Sequence, residues 1–139
     1  MSDLLSLVHT VYEGLNAGDL DALEPLFAED VETITPGGTL KGLDAFRAMG
    51  EGFLRAAPDM HHDIVHTFED GDTIVVEGVY SGTHTGPLET PDGTVPPSGN
   101  EFAFPYADFL QVHDGKCVSH RVYWDNVTFL AQIGAMPGQ

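Results

Sequence analysis

Apolar residues recur at three- and four-residue spacing along the start of the chain. Leu4, Leu7, Val8, Val11, Tyr12 and Leu15 fall on one face of an amphipathic helix. Ser2 caps its start, and Asn16-Ala17-Gly18 supplies its stop. Asp19 can cap a second, short helix through Leu20, Leu23, Leu26 and Phe27. Val31 to Thr35 reads as a short strand closed by Pro36-Gly37-Gly38. A third helix carries Phe46, Met49, Phe53 and Leu54 on one side, and Pro58 ends it.

Beyond Pro58 the period changes from that of a helix to that of a strand. Met60–Glu69 and Thr73–His84 read as a hairpin around Asp70-Gly71. Gly86 to Asn100 reads as a long Pro/Gly-rich loop, of the kind used as a lid. Glu101–His113 and Lys116–Asp125 form a second hairpin around Asp114-Gly115. Val127, Leu130 and Ile133 suggest a closing helical turn. Helices segregated from strands in this order predict a single α+β domain over residues 1–139. The expected architecture is cone-shaped: three N-terminal helices on one strongly curved, mainly antiparallel sheet, enclosing a pocket.

The turn of the second hairpin decides which side chains share a face. A two-residue loop pairs Asp108 with Arg121, and a three-residue loop pairs Asp108 with His120. The hydrophobic pattern favours the three-residue loop. It gathers Phe102, Phe104, Tyr106, Leu110 and Val112 opposite Val118, Val122 and Trp124, with Asp108 and His120 as the polar exceptions. A carboxylate and an imidazole meeting on an apolar, inward face suit proton transfer near neutral pH. The same pair also fits a buried ion pair that only fixes the sheet.

Alternation from Ile74, Val76 and Tyr80 turns His84 inward, and Met60, Ile64 and Phe68 carry His62 and His66 with them. With His120 these would make an inward histidine cluster. His62 and His66 are four residues apart on a strand, roughly 13 Å, and cannot share a metal alone. No metal site is therefore expected. His61 and His113 should face solvent, as should Arg121 on the outer face, and Asp125 reads as a helix cap.

Composition narrows the partners. The chain has 139 residues with 5 Lys+Arg against 22 Asp+Glu, a formal net charge of −17. That field repels phosphate backbones and anionic lipid, so neither nucleic acid nor a membrane surface is an expected partner. No basic, apolar leader opens the sequence and no apolar run is long enough to span a bilayer, which predicts a cytoplasmic protein. Cys117 is the only cysteine, so no internal disulfide forms.

Several runs carry a family resemblance. Gly82-Thr83-His84-Thr85-Gly86, the stretch from Asp108 to Lys116, Tyr123-Trp124-Asp125 and Phe129 to Gly134 resemble the SnoaL-like polyketide cyclases. Asn16 to Leu20 and Leu26 to Val31 are similar to the wider nuclear-transport-factor-2-like superfamily, which also holds ketosteroid isomerase and scytalone dehydratase. The resemblance implies a cone-shaped pocket for a small hydrophobic carbonyl compound. It also implies chemistry without metal or organic cofactor, and a homodimer paired through the outer sheet face. Carried over by motif, the cyclase acid falls on Val122 and its substrate-holding histidine on Asp108. The hydrogen-bonding aspartate of ketosteroid isomerase also falls on Asp108, its pocket tryptophan on Trp124, and its proton-shuttling acid near Thr35.

The expected function is proton transfer at carbon, of the cyclase, isomerase or dehydratase type, with Asp108 and His120 as the catalytic pair. Tyr106, Trp124, His84, Tyr80, Tyr12 and Phe104 are the expected ligand-binding residues. The alternatives are a non-catalytic binding protein for a hydrophobic metabolite, motivated by Val122 and Thr35, and a dimeric structural module.

Overall fold

The computed structural model describes residues 2–136. Its elements are α1 (Asp3–Ala17), β1 (Phe27–Thr35), β2 (Gly38–Lys41), α2 (Leu43–Ala56), β3 (His61–Asp70), β4 (Thr73–Thr83), β5 (Leu88–Thr90), β6 (Gly93–Val95), β7 (Glu101–His113), β8 (Lys116–Trp124) and α3 (Asn126–Gln132). Ser2 caps α1 by accepting from Leu5 N at 3.1 Å, and Gly18 ends the helix in a left-handed conformation. Asp125 caps α3 through the amides of Val127 and Thr128.

The architecture is α+β, with three helices and a curved mixed sheet. Six strands run in the order β2-β1-β8-β7-β4-β3. β1 and β8 are parallel, and the other neighbours are antiparallel. The expectation of three N-terminal helices does not hold: two strands separate α1 from α2, and α3 follows the last strand. The short helix expected over 19–27 is instead a turn and a single 3-10 turn at Glu24–Leu26. Pro25 at its start removes an amide, and Phe27 has already gone extended. Strand β1 begins four residues earlier than its hydrophobic pattern suggests, because Phe27 packs inward against the Phe46 ring at 4.4 Å.

The second hairpin corrects the expected register. Asp114 and Gly115 both have positive φ, which makes a two-residue primed turn and pairs His113 with Lys116. A bulge at Val118 then adds one residue to β8, so Asp108 lies opposite Val122 and His120 opposite Leu110. Cys117, not Val118, points into the core at this end. Asp108 and His120 still share the inner face, as diagonal rather than direct neighbours.

A matching bulge at Val65 interrupts β3. It turns His66 and Phe68 to the outside, where His66 meets Glu77 at 3.0 Å and Phe68 is 59% exposed. The inward placement expected of both is therefore overturned. The segment 86–100 is not wholly loop either, since β5 and β6 pair within it.

Candidate functional site

Between the helices and the inner face of the sheet lies a cavity of about 110 Å³. α1 contributes Tyr12 and Leu15, and α2 contributes Phe46, Met49, Gly50 and Phe53. The wall from the sheet side is Met60, His62, Tyr80 and Phe104, then Tyr106, Asp108, His120, Val122 and Trp124. The helical residues recur at three- and four-residue spacing and the strand residues alternate, so each element turns one face to the cavity.

Of the residues expected to bind a ligand, Tyr12, Tyr80, Phe104, Tyr106 and Trp124 line this space, together with Asp108 and His120. His84 does not. Its buried ring sits under the segment 86–100, with Nδ1 accepting from Ser98 N at 3.2 Å and lying 2.8 Å from Ser98 Oγ. No residue of 86–100 lines the cavity, so the expected lid has no place against it.

One chain of polar contacts crosses the apolar wall. Tyr12 Oη donates to Asp108 Oδ2 at 3.0 Å. Asp108 Oδ1 lies 3.4 Å from His120 Nδ1, close enough to attract yet short of a formed hydrogen bond, and neither atom has another partner. His120 Nε2 is 2.8 Å from Thr33 Oγ1. All four residues are buried. Burial, with Asp108 second, raises the Tyr12 hydroxyl well above its usual range, so it remains a donor at neutral pH. Burial pushes the Tyr106 hydroxyl up to about 12.

The sequence pattern misses Thr33, and it turns His62 inward without assigning it to this site. Thr33 reaches His120 only because β1 runs parallel to β8, a pairing that leaves no local signal. Of the expected histidine cluster only His62 and His120 line this wall, since His66 is exposed and His84 is bonded to Ser98. The His62 imidazole is pushed down to about 4, by burial first, with Asp108 opposing. Among the described residues no three His, Cys, Asp or Glu side chains come together as a metal-binding group.

An acid, an imidazole and a phenol converge on a hydrophobic hollow in a helix-covered curved sheet, and the family model for the SnoaL-like polyketide cyclases matches residues 6–133. The chain belongs to that family. IdmH from Streptomyces antibioticus is 30% identical over 94% of this chain and 97% of its own, with a TM-score of 0.79. A SnoaL-like protein from Jannaschia is 19% identical over 97% of this chain and 94% of its own, at a TM-score of 0.86. A protein of ketosteroid-isomerase-like fold from Catenulispora acidiphila, seen in complex with trimethylamine, is 23% identical over 94% of this chain and 93% of its own, at 0.77. The last two likenesses concern the fold. No curated protein matches the chain in sequence. As in other SnoaL-like proteins, the fold serves a small-molecule site. Among the described residues no helix is long and apolar enough to cross a membrane.

Proposed function

We propose that this SnoaL-like protein is an acid–base enzyme acting by proton transfer at a carbon beside the carbonyl of a small hydrophobic compound. The supporting observation is the buried Tyr12–Asp108–His120–Thr33 chain on an otherwise apolar wall. Asp108 and His120 are the acid–base pair, and Thr33 fixes the ring of His120 from behind. Tyr12, a donor throughout the neutral range, directs its hydroxyl at the Asp108 oxygen beside which a carbonyl would lie. Tyr80, Phe104, Tyr106 and Trp124 hold the flat part of the ligand. The low dielectric of the site strengthens each of these interactions.

The test is exchange of the methyl protons of acetophenone for deuterium in D₂O, followed by NMR. The parent protein should accelerate exchange. Asp108→Asn and His120→Ala should each lose about 10²- to 10⁴-fold, the usual range for a positioned acid or base. A folded Asp108→Asn protein that exchanges at the parent rate overturns the assignment. One observation favours a second reading, a binding protein: Val122 lines the cavity where the family motif carries its acid. Acetophenone that binds without exchanging, and binds equally to Asp108→Asn, supports that reading instead.

A further inference from the structure

Most polar groups on the cavity wall are already spent on the protein itself. Trp124 Nε1–H donates to Asn126 Oδ1 at 3.1 Å, and Tyr80 Oη–H to Met60 Sδ at 3.2 Å. Tyr12 is engaged by Asp108, and His120 is bracketed by Asp108 and Thr33. The Tyr106 hydroxyl lies against Gly78, where an added Cβ would stand 2.7 Å from it, and has no hydrogen-bond partner.

His62 is also unpaired. Neither ring nitrogen makes a hydrogen bond to a described residue, and Nδ1 is wholly buried. The residue is nonetheless firmly held. The Asn16 side chain accepts from His62 N at 2.7 Å and donates to His62 O at 3.0 Å, tying the end of α1 to the start of β3. The ring packs beside Tyr80 at 4.6 Å, Tyr12 at 5.5 Å and Tyr106 at 5.6 Å. A fixed, buried polar group with no partner is costly unless something supplies one. In the neutral ring one nitrogen donates and the other accepts, so an oxygen of either kind can satisfy it.

Tyr12 links His62 to Asp108. Its hydroxyl rests on Asp108 while its ring lies beside His62, so one side chain touches both polar groups.

We propose that His62 is a specificity-determining residue of the cavity: it hydrogen-bonds an oxygen at the far end of a flat, single-ring ligand whose carbonyl end lies at Asp108 and Tyr12. This rests on the function proposed above and narrows its substrate class to ring compounds oxygenated at both ends. A site built to hydrogen-bond an oxygen discriminates against the analogue that lacks it, because its own polar group is then left unpaired.

The test compares two probes, acetophenone and 4-hydroxyacetophenone, by calorimetric titration. The parent protein should bind the hydroxylated probe about tenfold more tightly, the effect of one buried hydrogen bond. His62→Phe should bind the two alike, and His62→Gln should recover part of the preference. Asp108→Asn should keep it. Equal affinities in the parent protein, or a preference that survives in His62→Phe, overturn the proposal. Should the variants fail to fold, ¹⁵N-histidine labelling of the parent protein decides. 4-Hydroxyacetophenone should shift a ring nitrogen of His62 and acetophenone should not; equal responses overturn the proposal. Equal binding together with Asp108-dependent exchange defeats this inference alone. Binding of neither probe defeats the reading of the cavity as well.

Discussion

Both long hairpins carry one extra residue on one strand, and the two bulges act on the chemistry in opposite senses. In β3–β4 the extra residue is Val65, half exposed at 53%. Without it the register before the bulge would continue, and His66 would oppose Val76 on the inner face. The bulge removes that histidine from the interior and leaves His62 as the inward histidine of β3. In β7–β8 the extra residue is Val118. Without it the two-residue turn would place Arg121 opposite Asp108 and turn His120 outward. Here the bulge delivers the imidazole to the carboxylate. The composition of the site is thus set less by which titratable residues the strands contain than by where one residue is left out of the ladder.

The strongest way to break the comparison is at Gly78, where the hairpins touch. Gly78 opposes Ile64 just before the first bulge and Tyr106 of the second hairpin. A Cβ there would overlap the backbone oxygen of Asp63 and crowd the Tyr106 hydroxyl. Backbone has nowhere to retreat inside a sheet. Gly78→Ala should therefore cost about 4 kcal/mol, among the largest effects of single substitutions. Urea denaturation measures it, and a cost below about 1 kcal/mol would show that the two hairpins separate easily.

The next largest contrast is between the two histidines that the bulges sort. His120→Ala removes a buried ring and strands Thr33 and Asp108 without it. The expected loss is about 3 kcal/mol, as for one partner taken from a buried pair. His66→Ala removes an exposed ring and an exposed contact to Glu77. Its loss should stay within about 0.5 kcal/mol. Similar losses in the same denaturation experiment would mean that the bulges do not sort these side chains as described.

These bulges also explain what sequence patterning reached and what it did not. Alternation puts Asp108 and His120 on one face, but through a three-residue turn where the structure has a two-residue turn and a bulge. Alternation reports faces, and a three-residue loop and a two-residue loop with a bulge give β8 the same faces from Ser119 onward. The two differ at Cys117 and Val118, where the expectation failed. On β3 the same rule, applied with no bulge, put His66 and Phe68 inside. The cap of α1 and the span of β7 were readable because their determinants are local. Thr33 beside His120, and Asn16 on the backbone of His62, join segments far apart in the chain, and no periodicity carries that information. Alternation turns His84 inward, and it is buried, yet its partner is Ser98 rather than the cavity.

The smallest effect concerns the one histidine that the first bulge leaves inside. Burial pushes His62 down to about 4, from an ordinary 6.5. Between those values the unfolded chain binds a proton that the folded protein refuses. Folding stability from this residue is therefore fully present above pH 6.5 and falls as the pH drops toward 4. From pH 7 to pH 5 the loss amounts to about 2 kcal/mol, at 1.36 kcal/mol per unit of displacement. The other titrating groups contribute to the same fall, so the informative quantity is a difference. His62→Gln keeps a polar side chain and removes the titration. Its stability should decline less over that interval than the parent's, by about that amount. Parallel pH profiles for the two proteins would mean that the ring is solvated or already paired. The contrast between an enclosed His62 and an exposed His66 would then collapse.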